Sequence, residues 1–175
     1  MASHTGTAAP DFSVFLHGHV RHDGNGPRCC GTLIIHSSSS GEPSSFNTSG
    51  HSWISYTDDS TNITTTYGTW GNKTPKGLHE NLEAYFESQG AYKDKAMRSV
   101  HLTDEQEVEL MAKIQEYRDM GEDAWEYTET CSDFAAAAWE AATGEDLSSW
   151  WWTTPSELKD AIIDANGGLQ HGVKE

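Results

Sequence analysis

The sequence has little positive charge and no long apolar run, and each shortage excludes a class of protein. Eleven Lys and Arg stand against 27 Asp and Glu, a formal charge of −16 over 175 residues. A surface this acidic repels nucleic-acid phosphates and anionic lipid headgroups, so we expect neither nucleic acid nor a membrane as a partner. No apolar run approaches the ~20 residues of a membrane-spanning helix, so stable membrane insertion is not expected either.

The beginning of the chain lacks the features of a cleavable signal peptide. Residues 1–10 contain neither a basic region nor an apolar region. We therefore expect a soluble chain made in the cytoplasm. Hydrophobic residues make up 35% of it and aromatic residues 10%, enough for a buried core. We predict one domain over residues 11–166, with flexible ends at residues 1–10 and 167–175.

Cysteine is also scarce, which excludes a disulfide framework and a zinc site. Adjacent Cys29 and Cys30 cannot bridge each other without severe strain, and three cysteines leave at least one thiol free. No C-x2-C spacing is present. His17 and His19 would share one strand face, as two metal ligands do, but no third ligand is evident. We predict no metal and no cofactor, and Cys131 becomes the thiol to inspect.

Local patterns predict a strand-rich first half and a helical second half, hence an α+β fold. Strands are predicted at residues 12–20, 32–36, 51–57 and 62–70, the last two joined as a hairpin by the turn at residues 58–61. Helices are predicted at residues 78–89, 103–120, 131–143 and 154–165, two of them opened by capping boxes at Thr103 and Thr154.

Cys131 opens one of these helices, after Thr130 and before Ser132 and Asp133. The first turn of a helix has unpaired backbone N–H groups and the positive end of the helix dipole, which favour a thiolate. Read by itself, the position suits either a nucleophile or a small buried residue. The apolar residues that follow, from Phe134 to Trp139, favour burial of this helix.

A thiol nucleophile needs a base, and His51 is the best candidate among the nine histidines. It follows Gly50 at the start of the most strongly predicted strand, and we take that glycine as a place where substrate approaches. Read alone, His51 is equally consistent with a surface histidine.

Three segments together resemble the circularly permuted NlpC-like branch of the papain-like superfamily. They are Gly50-His51-Ser52-Trp53-Ile54-Ser55, Thr65-Thr66-Tyr67-Gly68-Thr69-Trp70 and Thr130-Cys131-Ser132-Asp133-Phe134-Ala135. In that branch the hairpin with the histidine precedes the helix with the cysteine. The sequence after the cysteine also looks like that of bacterial members, several of which are type VI secretion effectors.

The resemblance implies a papain-like fold, an antiparallel sheet packed against the helix that bears the cysteine. It implies a Cys–His amidase or peptidase with Cys131 as nucleophile and His51 as base. The third residue of the family is a polar side chain on the strand paired with the histidine. With the hairpin turn at residues 58–61, Tyr67 and Thr66 are the candidates, and Asn62 is the next.

The resemblance also implies a substrate and a route to it. Family members cleave peptide amides of bacterial cell walls, so we expect peptidoglycan stem peptides, reached in a target-cell periplasm through a secretion apparatus. An immunity protein would be a further partner. The alternatives are an acyl-ester or lipid hydrolase or acyltransferase of the same fold, and a non-catalytic effector that binds a host or target protein.

Three consecutive indoles, those of Trp150, Trp151 and Trp152, cannot all point into the core. Either one is exposed as a platform for substrate or partner, or two pack inward and the third covers the last helix.

Overall fold

The structure is a computed structural model that describes residues 29–40, 50–126, 130–148 and 153–175. Within these ranges the chain is α+β, with one mixed six-stranded sheet and four α-helices. The strands are β1 (Cys29–Ser38), β2 (His51–Asp58), β3 (Ile63–Trp70), β4 (Gly77–Glu80), β5 (Ala96–Thr103) and β6 (His171–Val173). The helices are α1 (Leu82–Ser88), α2 (Asp104–Met120), α3 (Cys131–Thr143) and α4 (Pro155–Ala165).

Some of the sequence-based predictions lie outside these described residues. They are the strand at residues 12–20 with His17 and His19, the flexible segment at residues 1–10, and the three consecutive tryptophans. Among the helices that the structure does describe, none is both long enough and apolar enough to cross a membrane.

The sheet has the strand order β4-β3-β2-β1-β5-β6, with β1 at its centre between two antiparallel neighbours. The predicted hairpin of β2 and β3 is confirmed. The Asp58 carboxylate accepts hydrogen bonds from the backbone N–H groups of Ser60 and Thr61, at 2.7 and 2.9 Å, and so closes the turn.

The two faces of the sheet are covered by different parts of the chain. Leu33 and Ile35 on β1 are fully buried on the face packed by α2, α3 and α4. The alternate side chains point to the other face, where His36 stacks on Trp53 with ring centroids 4.8 Å apart. Over β2 and β3 this second face is covered by α1 and by Tyr92, which follows it.

Helix α3 lies in the middle of the domain because its side chains are small and apolar. Five of the residues that follow its first turn are buried: Phe134, Ala135, Ala136, Ala138 and Trp139. Gly144 ends the helix with a left-handed backbone, φ 68°. The predicted helix at Cys131–Thr143 is thus confirmed, and so are the capping boxes of Thr103 and Thr154 that open α2 and α4.

The prediction of one helix over residues 78–89 is wrong. The segment is β4 followed by the shorter α1, and Asn81 between them has a left-handed backbone, φ 60°. Its backbone N–H donates to the Thr66 carbonyl at 2.9 Å, and its side-chain Oδ1 accepts from the Thr66 N–H at 3.2 Å. Pairing with β3 therefore overrides the helical pattern.

The predicted flexible end at residues 167–175 is also wrong, because residues 171–173 form β6. This strand runs parallel to β5, so the sheet is mixed rather than wholly antiparallel as expected. The Met97 N–H donates to the Gln170 carbonyl at 2.7 Å and the Lys174 N–H to the Ser99 carbonyl at 2.8 Å. Because these partners are more than 70 residues apart, no local pattern indicated β6.

We predict that Phe134→Ala lowers the free energy of unfolding by about 3–5 kcal/mol, because it leaves a cavity between α3 and α2. The Phe134 side chain is fully buried and its ring lies 4.9 Å from that of Tyr117. Urea unfolding measures the loss. The matched control is Ile63→Ala, which trims a side chain that is 63% exposed and should cost less than about 0.5 kcal/mol. Equal losses in the two variants would contradict the assignment of this core.

Candidate active site

Cys131 is the first residue of α3, and its side chain is buried at the start of β2. Three groups beside its sulfur lower the pKa of the thiol: the His51 imidazole, the backbone N–H of Ser52 and the hydroxyl of Ser132. Asp133 stabilises the start of α3. Its carboxylate accepts hydrogen bonds from the backbone N–H groups of Thr130, at 2.7 Å, and Thr153, at 3.1 Å. The sulfur is therefore held among donors.

His51 is the first residue of β2, and it is also buried. Gly50 before it has φ 80°, and a Cβ there would collide with the Ser38 carbonyl oxygen and press on Pro155. Glycine is thus required by the close approach of β1 and α4. This corrects the expectation that Gly50 admits substrate.

The second partner of His51 is Glu83, a fully buried carboxylate in the first turn of α1. The imidazole Nε2 lies 3.0 Å from Glu83 Oε1, which leaves Nδ1 for the Cys131 thiol. The same carboxylate accepts a hydrogen bond from the Trp70 Nε1–H at 2.8 Å and one from the Thr66 hydroxyl at 3.0 Å. A buried carboxylate is costly without such donors, and here three of them come from β2 and β3.

Two features of the chain bring Glu83 to this place. Gly68 on β3 leaves the space open, because a Cβ there would collide with Glu83 Oε1 and lie 3.0 Å from His51 Nε2. Asn81 fixes the start of α1 against Thr66 through the two hydrogen bonds described above. The carboxylate thus occupies the position that a side chain at residue 68 would take.

The electrostatics of the three residues favour an ion pair. Burial alone would raise the pKa of the Cys131 thiol, but the imidazolium of His51 and the neighbouring donors outweigh it, so this pKa is lowered. Burial would lower the pKa of His51, but the Cys131 thiolate and the Glu83 carboxylate raise it above its ordinary value. Burial would raise the pKa of Glu83, but His51 holds it low. The arrangement can therefore hold a thiolate beside an imidazolium.

Aromatic rings enclose the imidazole and restrict its orientation. The Trp70 ring lies 4.0 Å from that of His51, and the rings of Trp53 and Tyr92 lie 5.8 and 5.9 Å away. Such packing leaves the ring few rotamers and keeps both nitrogens aimed at their partners.

The residues predicted as the third member of the site do not touch the imidazole. Tyr67 pairs with Ile54 and lies on the face packed by the helices, so the prediction of Tyr67 beside His51 is wrong. Thr66 lies on the face of His51 but donates to Glu83 instead. Asn62 lies in the hairpin turn, where its N–H donates to the Asp58 carbonyl.

The error comes from the register of the hairpin. Asp58 pairs with Ile63, so the turn ends one residue later than predicted and Asn62 completes it with φ 54°. Continuing this register places Trp70, rather than residue 67 or 68, opposite His51. Glu83 was missed altogether because it stands 32 residues from His51 on another element, and no local pattern in the sequence connects them.

The other thiol that the structure describes has a contrasting environment. The Cys30 thiol donates to the Asp104 carboxylate at 2.6 Å, and this bond, burial and the nearby Glu107 raise its pKa to about 12. Cys30 is therefore a poor nucleophile and serves as an internal comparison for Cys131.

Neither metal ligands nor known relatives define this site. Across residues 29–40, 50–126, 130–148 and 153–175, no three His, Cys, Asp or Glu side chains form a group that could hold a metal ion. Comparisons with protein-family models, with curated proteins and with solved structures found no match. The site must therefore be interpreted from its own geometry.

We predict that Glu83→Gln lowers the pKa of His51, because the carboxylate that stabilises the imidazolium is gone. NMR titration of the His51 ring should give a pKa above the ordinary 6.5 in the parent protein and a smaller value in the variant. The rate of Cys131 alkylation near pH 7 should fall with it, since less thiolate is present. A His51 titration that is the same in both proteins would contradict the proposed contact.

A second buried histidine predicts acid sensitivity. The His36 Nε2 lies 2.8 Å from the Ser55 hydroxyl, and its ring is stacked on Trp53. Burial, with Lys95 and His171 nearby, lowers the pKa of His36 to about 3. The unfolded chain binds a proton near pH 6.5, whereas the folded chain resists it until about pH 3. Folding stability is therefore lost as the pH falls through this window.

We predict that this histidine contributes up to about 1.4 kcal/mol of lost stability per pH unit between pH 6 and 4. Urea unfolding at several pH values measures the slope in the parent and in His36→Gln, which cannot bind the proton. The parent should show the steeper decline. Parallel pH profiles would show that His36 is not the group responsible.

Proposed function

We propose that the chain is a cysteine hydrolase of papain-like type, with Cys131 as nucleophile, His51 as acid and base, and Glu83 as the group that orients His51. The observation that carries the proposal is the buried chain of contacts from the Cys131 sulfur through the imidazole to the Glu83 carboxylate. A nucleophile, a base within reach of it and a third group behind the base form the arrangement that activates a thiol.

The proposed reaction begins with the thiolate of Cys131, which attacks the carbonyl carbon of an amide. The negative charge on the carbonyl oxygen is stabilised at the N-terminus of α3, where the first backbone N–H groups have no partners within the helix. The His51 imidazolium then gives its proton to the leaving amine, and a thioester remains on Cys131.

Water completes the cycle. His51, now neutral, accepts a proton from a water molecule that attacks the thioester. The carbon–sulfur bond breaks, the carboxylic acid leaves, and the Cys131 thiolate and the His51 imidazolium are restored. Glu83 touches neither substrate nor sulfur in this scheme. It stabilises the imidazolium at Nε2, and Trp70 and Thr66 hold the carboxylate for that purpose.

We further propose that the amide belongs to a peptidoglycan stem peptide. What supports this is the resemblance to the permuted NlpC-like branch, together with the order of elements: the hairpin that bears His51 precedes the helix that bears Cys131. On this proposal a secretion apparatus delivers the protein to the periplasm of a target cell, and an immunity protein neutralises it in the producing cell.

The alternative of a non-catalytic effector is less favoured, because Glu83 supplies the group behind His51 that a cysteine hydrolase needs. An acyl-ester or lipid substrate would use the same three residues, so it becomes an outcome of the experiment. Both alternatives predict that purified muropeptides remain intact.

We predict that the parent protein cleaves a defined amide in purified muropeptides, detected by mass spectrometry, and that Cys131→Ser does so at least ~10³-fold more slowly. The hydroxyl has a far higher pKa than the thiol, so it is a poor nucleophile beside a neutral imidazole. Because the change in volume is small, the variant should melt within a few degrees of the parent. Cys30→Ser and Cys29→Ser are the matched controls and should retain activity.

A chelator should leave the rate unchanged, because the proposed reaction uses no metal. Full hydrolysis by Cys131→Ser would overturn the assignment of the nucleophile. Muropeptides left intact by the parent, with acyl esters cleaved instead, would overturn the substrate and retain the enzyme.

A further inference from the structure

Three buried serine hydroxyls form a line from the start of α4 to the residue next to Cys131. They belong to Ser37 on β1, Ser52 on β2 and Ser132 on α3, and all three residues are fully buried. The Ser132 and Ser52 oxygens are 3.0 Å apart, the Ser52 and Ser37 oxygens 2.7 Å, and the Ser37 oxygen is 2.6 Å from the Pro155 carbonyl oxygen. Three separate elements thus contribute one hydroxyl each.

The carbonyl at one end gives this line a direction. A carbonyl oxygen can only accept, so Ser37 donates its single hydroxyl proton to Pro155. Ser37 then has only lone pairs left for Ser52, which must donate to it. Ser52 in turn has only lone pairs left for Ser132. While Cys131 is a neutral thiol, every hydroxyl proton of this line therefore points away from the nucleophile.

The other end lies beside Cys131, because Ser132 follows it directly in the first turn of α3, and the Ser132 hydroxyl is one of the groups that lower the pKa of this thiol. Ser132 has one proton and two acceptors, the Ser52 oxygen and the sulfur. A neutral thiol is a weak acceptor, so the proton rests on the Ser52 side. A thiolate is a strong acceptor, so the hydroxyl rotates towards it and leaves Ser52.

We propose that Ser37, Ser52 and Ser132 act as a directed hydroxyl relay, in which Ser132 stabilises the Cys131 thiolate and the bond from Ser37 to Pro155 makes Ser52 compete for the Ser132 proton. The proposal rests on the proposed function and deepens it by naming three positioning residues. No covalent bond changes in the relay, since only the Ser132 hydroxyl rotates. The donation from Ser132 acts in the direction that lowers the pKa of the thiol.

The relay hydroxyls are neutral, and few charged groups lie near the sulfur. Among the described residues, His51 on β2 is the titratable group in contact with Cys131, and Glu83 on α1 stands behind it. Asp133 on α3 is bonded to the backbone of Thr130 and Thr153. The variants below leave all of these groups in place, so a change in the thiol pKa reports on the hydroxyls.

The relay predicts that substitutions at its two ends shift the pKa of Cys131 in opposite directions. Ser132→Ala removes the donor to the thiolate, so the pKa of Cys131 should rise by about one unit, the effect of one hydrogen bond to a charged group. Ser37→Ala frees Ser52 to turn and donate to Ser132, which can then donate to the sulfur without losing a bond. The pKa of Cys131 should therefore fall, by about half a unit.

Ser52→Ala gives a second and independent variant with the same sign as Ser37→Ala. It removes the competing acceptor but keeps the backbone N–H that Ser52 offers to the sulfur. The pKa of Cys131 should again fall. A mere loss of packing predicts instead a rise of this pKa in all three variants, since a loosened site would weaken the ion pair in each.

The experiment measures the rate of Cys131 alkylation by iodoacetamide as a function of pH in the Cys30→Ser background, with Cys29→Ser added. The parent, Ser132→Ala, Ser37→Ala and Ser52→Ala are compared with Ser99→Ala, a β5 serine whose hydroxyl bonds Gly172 at 3.4 Å. Thermal melts show which variants are folded. We expect Ser99→Ala to match the parent, Ser132→Ala to titrate higher, and the other two to titrate lower.

A rise or no change in both Ser37→Ala and Ser52→Ala would overturn the relay, and so would no change in Ser132→Ala. Alkylation needs no substrate, so the result is independent of muropeptide cleavage. If muropeptides remain intact but the opposite shifts appear, the proposed function fails and the relay stands. If cleavage occurs without the shifts, the relay fails and the hydrolase stands.

Discussion

The buried carboxylate of Glu83 is the constraint on which the site depends. A charge with no exposure to water costs several kcal/mol unless donors surround it, and three surround this one: the His51 ring, the Trp70 indole and the Thr66 hydroxyl. Because these donors belong to two adjacent strands and the carboxylate to α1, the geometry of the hairpin and the position of that helix are fixed together. Removing the carboxylate would leave the donors unsatisfied as well as the imidazole unsupported.

The sheet separates the two halves of the proposed catalytic pair. Cys131 belongs to a helix packed on one face, whereas the His51 ring lies under α1 and the aromatic rings of the other face. They meet because Cys131 is the first residue of α3 and His51 is the first residue of β2, and both of these lie at the same end of the sheet. The nucleophile is thus held by the apolar core of the domain and the base by a separate aromatic layer.

Local signals in the sequence predicted those parts of the structure that depend on residues close together in the chain. Capping boxes, the Asp58 turn and the alanine-rich helix α3 involve partners a few residues apart, and all three are confirmed. Cys131 and His51 were singled out by their positions at the start of a helix and of a strand, and then by resemblance, and the structure brings them together. Glu83 and β6 depend on partners 32 and more than 70 residues away, so no local pattern reveals them. Tyr67 was misplaced because the turn lies one residue later than predicted, which moves the position opposite His51 from residue 68 to residue 70.

The empty space at Gly68 makes two distant positions depend on each other. The volume above this glycine holds the Glu83 carboxylate, so it can be filled either by a side chain from β3 or by one from α1, but not by both. A lineage that placed a polar side chain at residue 68 would have to give up the glutamate, and one that lost the glutamate could fill residue 68 only if the His51 ring, 3.0 Å from a Cβ there, moved slightly. Paired exchange at these two positions is therefore the signature by which divergent relatives of this chain would be recognised.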